Sequence, residues 1–465
     1  MARVNQAANR PTIHTHEGAP AKRIDAEAQL RRTLMACLLW ERSFYEDGKG
    51  VADRLREGVA AVPLEAAGRL AIEAREQMHL RHAPLLVVRE MARHKGAVIG
   101  DTLARVIQRA DELSEFLALY WQDGKVPLSA QVKRGLAEAF PKFDEYQLAK
   151  YDRATDVRLR DVLFLTHPKP KDLEQAALWK RLANNELETP DTWEVALSGG
   201  GDKRGQWTRL LAEKRLGGLA LLRNLRNMRE AGVDDALIRQ GITEGNYRRV
   251  LPFRFIAAAR HAPDFEPELE EAMLGALADA PKLPGKTALV VDHSGSMVAK
   301  LSARSDMTRF EAACGLAILL REVAEQVDVI AFSAPGAHGH YGLHGYVGGM
   351  RVDIHPERPH LAVVPPRRGF ALRDALDQAT CWWGTNTDDA KKLADSRGYD
   401  RIIVVTDEQS HQKLSDPLPK TPAYVVNVSS ERNGIGYGRW THIDGWSEAV
   451  VRYIQAAEGV GEIAR

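Results

Sequence analysis

The chain has 465 residues, a length that one hydrophobic core does not serve and that points to two or three domains. Its 64 basic residues nearly cancel 63 acidic ones, for a net charge of +1, which excludes a uniformly basic RNA coat but leaves room for basic faces. A hydrophobic share of 44% and a charged share of 27% are ordinary globular values, and they exclude a chain that stays unfolded throughout.

Cys37, Cys314 and Cys381 are far apart and odd in number, so neither a disulfide framework nor a zinc ribbon is expected. No apolar run approaches a membrane span, and the start has no signal-peptide pattern. The expectation is a cytoplasmic protein with no membrane partner.

Residues 1–20 are polar, with Pro11, Gly18 and Pro20, and read as a flexible tail. Residues 21–283 follow helical spacing at almost every step. Leu30, Leu34, Cys37 and Leu38 share a face, as do Ala66, Leu70, Ala74 and Met78. Leu103, Val106, Ile107, Ala110 and Leu113 repeat the spacing, and so do Leu216, Leu219, Leu222 and Leu225. Breaks are expected at Gly58, Gly96, Gly124–Pro127, Pro168–Pro170 and Pro190. Helices joined by short breaks suggest an all-α, HEAT-like array, although no internal sequence repeat marks a period.

The pattern changes at Pro281–Gly285, so residues 284–465 read as an α/β doubly wound, Rossmann-like domain. Strands are expected at Thr287–Val291, Asp328–Phe332, Arg401–Thr406 and Ala423–Val428, and helices at Phe310–Gln326, Phe370–Ala379 and Trp446–Ala457. Such sheets hold their ligands at the carboxyl ends of the strands. The first strand runs there into Asp292-His-Ser294-Gly-Ser296. One carboxylate and two hydroxyls at alternate positions of a tight turn converge on one point, and hard oxygen donors suit Mg²⁺ or Mn²⁺. Taken alone, D-x-S-x-S is equally a helix-capping turn.

Asp292-x-Ser294-x-Ser296 resembles the first metal loop of von Willebrand factor A domains. Gly384-Thr385-Asn386-Thr387 is similar to the second, with Thr385 as ligand, and Thr406-Asp407-Glu408 to the third, with Asp407 as ligand. The resemblance implies one Mg²⁺ (or Mn²⁺) held by Asp292, Ser294, Ser296, Thr385 and Asp407, with an open position for an acidic protein ligand. No general base or nucleophile accompanies the set, so no enzyme is expected.

The helical half carries Tyr146-Gln-Leu-Ala-Lys-Tyr151, Arg160–Pro170, Trp193-Glu, Trp207, Leu221-Leu-Arg-Asn-Leu-Arg-Asn-Met228 and Pro252-Phe-Arg-Phe255. These segments resemble the TROVE module of the Ro autoantigen family, in which a von Willebrand A domain follows directly. The resemblance implies a ring of HEAT-like helices bridged by that domain. It also implies an RNA-binding scaffold for RNA quality control. Small structured Y-type RNA would sit outside the ring, and single-stranded 3′ ends of misfolded RNA would enter the hole. In bacterial members an exoribonuclease of the polynucleotide phosphorylase kind is tethered by the small RNA. The family's outer site carries over to Lys150 and His167. Its further Arg does not align: Ala154 stands there, with Arg153 one residue off.

Between Lys125 and Arg160 eight Lys/Arg face five acids, and Lys142, Tyr146, Lys150 and Arg153 recur at helical spacing, which suits phosphate contacts. A solvated helix face explains the same charges, and His167 before Pro168 has a plain reading as a helix cap. Trp121, Trp179, Trp193 and Trp207 read as core before stacking platforms. Gly285-Lys286-Thr287 lacks the strand-before, helix-after context of a phosphate loop. Ser198–Gly205 reads as a surface insertion, and His338, His340 and His344 as incidental loop histidines. An alternative function is a metal-dependent protein-interaction adaptor whose helices are only a scaffold.

Overall fold

The computed structural model describes residues 13–14, 20–21, 25–35, 48–77, 80–152, 155–198, 201–247, 250, 252–278, 280, 282–301, 307–336, 344–347, 350–429, 435, 438–444 and 449–458. In the segment read as a tail, β1 (Ile13–His14) pairs with β2 (Pro20–Ala21). The helical half follows as α1 (Ala26–Met35), α2 (Gly48–Ala60), α3 (Leu64–Glu76), α4 (His82–Met91), α5 (Gly100–Val106) and α6 (Asp111–Tyr120). Next come α7 (Ala130–Ala139), α8 (Glu145–Tyr151), α9 (Leu159–Thr166) and α10 (Leu173–Asn184). It ends with α11 (Trp193–Ser198), α12 (Lys203–Ala212), α13 (Gly218–Glu230), α14 (Asp235–Glu244), α15 (Pro252–His261) and α16 (Glu266–Leu277).

Helices stack on their next-but-one neighbours. One layer runs α1–α3–α5–α7–α9 and the other begins α2–α4–α6; α12–α14–α16 and α13–α15 repeat the scheme. This is the HEAT-like arrangement that the short breaks imply. Two features differ from the expected pattern. Gly58 lies inside α2 and breaks nothing: a Cβ there would come within 2.9 Å of Leu30 Cδ1, so the glycine lets α1 approach. The run Leu103–Leu113 belongs to two helices. All five of its apolar residues are fully buried, but α5 ends at Val106 and α6 starts at Asp111. In α13 the buried face is Leu221, Leu222, Leu225 and Met228, which turns Leu219 outward. Cys37, Leu38 and Met78 lie outside the described residues.

The C-terminal part adds β3 (Leu283–Asp292), α17 (Arg309–Val323), β4 (Ala324–Phe332), β5 (His344–Val347), β6 (Met350–Asp353) and β7 (Leu361–Val364). After these come α18 (Gly369–Asp377), α19 (Thr387–Asp395), β8 (Arg401–Thr406), β9 (Ala423–Asn427), β10 (Thr441–Asp444) and α20 (Ala449–Ala457). The main sheet has the order β10-β9-β8-β3-β4-β7, parallel except for β7, which runs antiparallel to β4. β5 and β6 form a separate hairpin. The sheet is therefore mixed. Sequence pattern misses its two edges because four residues, between prolines in β7 and with only Ile443 apolar in β10, carry too little periodicity.

Both faces of the sheet are covered. Leu289, Val291, Ile403 and Val405 belong to the core that contains α17, while Ala288, Val290, Ile402 and Val404 pack with Ala390 and Ala394 of α19. The α17 core is continuous with Trp207 to Met273 of α12–α16, whereas α1–α10 have a core of their own. At the other end of the helical array, α1 packs on β10. The sheet domain thus touches the first helix of the array as well as its last, which is the contact a closed ring requires.

Candidate metal centre and nucleic-acid surface

Chain order places β3 next to both β4 and β8, so the sheet changes winding direction between β3 and β8. The crevice beyond their carboxyl ends is where such folds hold ligands. In register, Val291 lies opposite Val405, so Asp292 and Thr406 leave the sheet side by side. Asp292 is fully buried. Its Oδ1 accepts the Ser294 N–H at 2.9 Å and its Oδ2 accepts the Thr406 hydroxyl at 2.5 Å. Ser294 and Ser296 are buried, with their Oγ atoms 3.2 Å apart. His293 donates its N–H to Phe332 O at 2.8 Å, which prolongs the β3–β4 ladder by one residue. The imidazole stacks on Phe310 and meets Trp382 at a tilt of 57°, its Nδ1 2.6 Å from Thr380 Oγ1. Burial holds His293 well below the usual histidine range, so it is neutral.

The other two loops are tied to the first. Gly295 N–H donates to Trp383 O at 3.1 Å, which sets the loop that carries Thr385 against the Asp292 turn. Thr385 O in turn accepts His411 N–H at 3.1 Å and the Ser410 hydroxyl at 3.3 Å, both from the segment after Asp407. Thr385 and Asp407 are both buried. The five oxygen-bearing residues expected as ligands therefore sit on three mutually bonded loops at one end of the sheet.

Two residues of the centre are not among the expected ones. Thr406 locks Asp292 as described. Arg309, the first residue of α17, donates Nη1–H to Asp407 Oδ2 at 2.7 Å, and both side chains are buried. The Thr308 cap and its reciprocal bond with Glu311 start α17 at that residue, so the guanidinium points back into the centre. The Thr308-x-x-Glu311 signature was visible in sequence, but its neighbour's partner 98 residues away was not. Burial first, and the nearby Asp407 carboxylate second, push the Asp292 carboxyl up to about 7.

The donor set suits a hard divalent cation. It offers carboxylates and hydroxyls, and the 3.2 Å between the two serine oxygens matches adjacent ligands of an octahedral ion, which at 2.0–2.1 Å bonds stand about 3 Å apart. Two facing buried carboxylates, with one raised toward neutrality, are also the electrostatic setting that a cation relieves. Among the described residues no group of three or more His, Cys, Asp or Glu is arranged to hold a metal ion. His344 lies in β5, and His338 and His340 fall outside the described residues.

The basic surface divides differently from its sequence spacing. Lys142 closes a short 3-10 turn, Phe140–Lys142, and Asp144 then starts α8 with a capping box to Gln147. Lys142 therefore does not share a helix with Lys150. Its ammonium is turned inward onto Ala104 O and Ile107 O (3.1 Å), where it caps the carboxyl end of α5 and burial lowers its pKa. Arg153 lies outside the described residues. Lys150 is half-buried, its Nζ 5.9 Å from the Tyr146 ring centre and 5.8 Å from that of Tyr151. His167 is exposed and ends α9 in the left-handed region, φ 49°. Trp179 and Trp207 are core, as read from the sequence.

A TROVE domain family model matches residues 180–278, which include Trp193, Trp207, Leu221–Met228 and Pro252–Phe255 but neither Lys150 nor His167. No curated protein matches the chain. Among solved structures it is similar to the Deinococcus radiodurans RO (RSR) protein, with a TM-score of 0.57 and 18% identity, over 94% of this chain and 100% of that one. That likeness spans the helical array and the sheet domain together. Residues 180–278 thus match the TROVE domain model, and the chain shares the fold of the Deinococcus radiodurans RO (RSR) protein.

Proposed function

We propose that the protein is a non-catalytic, cytoplasmic RNA-binding scaffold for RNA quality control. Small structured RNA of the Y type binds the outer face of the helical array, through Lys150 and His167, and single-stranded 3′ ends of misfolded RNA enter its hole. The observation that carries this reading is the TROVE match inside an array whose first and last helices both meet the sheet domain. Among the described residues no helix is long and apolar enough to cross a membrane. An exoribonuclease of the polynucleotide phosphorylase kind is the partner that would act on the RNA presented. The defining experiment is sequencing of RNA that copurifies with the full chain. Enrichment of one small structured RNA supports the scaffold. Partners that persist through nuclease treatment, with no RNA enriched, support the adaptor reading that the three-loop metal centre would serve.

In the same reading Asp292, Ser294, Ser296, Thr385 and Asp407 hold Mg²⁺, or Mn²⁺, with one position left for an acidic protein ligand. When bound, the ion would supply positive charge to that ligand. A pH signature follows. A carboxyl raised from 3.8 to about 7 on folding favours the metal-free protein at low pH. That contribution is complete below about pH 4 and is lost as pH rises through about 7. A cation must displace this proton. Titration calorimetry at pH 6 in buffers of differing ionisation enthalpy should show release of up to about one proton per Mg²⁺, fading by pH 8. Proton-free binding at pH 6 would count against Asp292 as a ligand.

A further inference from the structure

The outward side of α9 carries Arg160, Phe164 and His167 at i, i+4 and i+7, while Leu159, Val162 and Thr166 face the core. Phe164 is 59% exposed, and Tyr146 on α8 is 51% exposed. Leaving a phenyl ring this open in water forgoes burial that a helix face packed on its neighbours could have provided. The surroundings are cationic. Arg160 donates Nη1–H to Asn185 Oδ1 at 3.4 Å, and Asn185 lines, with Lys150, a cavity of about 610 Å³ between the ends of α8, α9 and α10. Tyr146 and Lys150 lie one turn apart on α8, and Arg160, Phe164 and His167 follow one side of α9. Beyond His167 the loop continues with exposed Lys169 and Lys171.

Three of the neighbouring acids already have arginine partners. Glu145 accepts Arg181 at 2.6 Å, Asp152 pairs with Arg158 at 3.3 Å, and Asp161 accepts the Arg158 N–H at 2.8 Å. Glu188 and Glu194 line the same cavity, at residues that follow α10 and open α11.

We infer that Phe164 is a stacking platform for an unpaired RNA base, with Lys150, Arg160 and His167 holding the flanking phosphates. The inference rests on the RNA-binding reading above and specifies its ligand. A paired A-form helix keeps its bases stacked on one another, so a lone exposed ring is usable only by a base in a loop, bulge or end. Phosphate contacts give affinity without such discrimination. The selectivity for unpaired bases therefore belongs to Phe164.

The test uses the full chain, a labelled hairpin RNA with a purine loop, and a blunt duplex of equal charge. Phe164→Ala should weaken hairpin binding about tenfold, leave duplex binding and the salt dependence unchanged, and leave thermal unfolding unchanged because the ring is exposed. Phe164→Trp should restore hairpin binding. Equal hairpin affinity for Phe164→Ala and the parent, while Lys150→Ala with His167→Ala weakens it, overturns the stacking role and leaves the RNA-binding reading standing. Equal loss on hairpin and duplex also overturns it. If neither set of substitutions weakens binding, both readings fall.

Discussion

Arg309→Met is expected to cost about 3–5 kcal/mol of folding stability in the presence of a chelator, because it leaves a buried carboxylate without its cation. The Arg309–Asp407 pair is excluded from solvent on both sides, at 2% and 0% exposure, so screening does not discount it. The loss is compounded by Asp292, whose carboxyl already feels Asp407. The protein can shed part of the cost by protonating one of the two acids, so the deficit should be larger at pH 8 than at pH 6. Saturating Mg²⁺ should recover much of it, since the ion replaces the missing charge at the same carboxylates. Urea unfolding of both proteins, with and without Mg²⁺, measures each effect. A variant within about 1 kcal/mol of the parent in chelator would show that Asp407 is not held as a charged partner. A deficit indifferent to Mg²⁺ would remove the ion from this centre.

Lys150→Ala combined with His167→Ala should weaken binding of structured small RNA, and its salt dependence should flatten. Each lost phosphate contact lowers the slope of log affinity against log salt by about 0.7–0.9. Fluorescence anisotropy over a range of salt concentrations separates this from a general loss of fold. Lys142→Ala is the informative contrast. Its ammonium caps the carboxyl end of α5, so that substitution should act on thermal stability before it acts on RNA affinity. An unchanged affinity and slope in the double variant would move the outer site elsewhere on the array.

The two outer-site residues came from a resemblance, and the structure adds a physical ordering that spacing could not. Positions 142, 146, 150 and 153 recur at helical intervals, yet Pro141 and the Asp144 cap restart the helix between the first and the second. Periodicity reports which side of a helix is apolar. It does not report that one helix has ended and another has begun in phase with it. The Leu103–Leu113 run misleads in the same way, since two helices share one apolar stripe around the break at Ile107–Ala110.

What the sequence by itself determined is local. The continuous apolar runs of β3 and β8 specify strands covered on both faces, and the turn chemistry of Asp292–Ser296 follows from five consecutive residues. Helix spacing specifies an all-α array, because the alternation of buried and open positions is written into neighbouring residues. Everything that depends on partners far along the chain was decided by the tertiary fold: Thr406 on Asp292 across 114 residues, Arg309 on Asp407 across 98, and α1 against β10. The antiparallel edge strand β7 belongs with these. A four-residue segment has no strand-forming pattern of its own and is held in place by the ladder that β4 offers it.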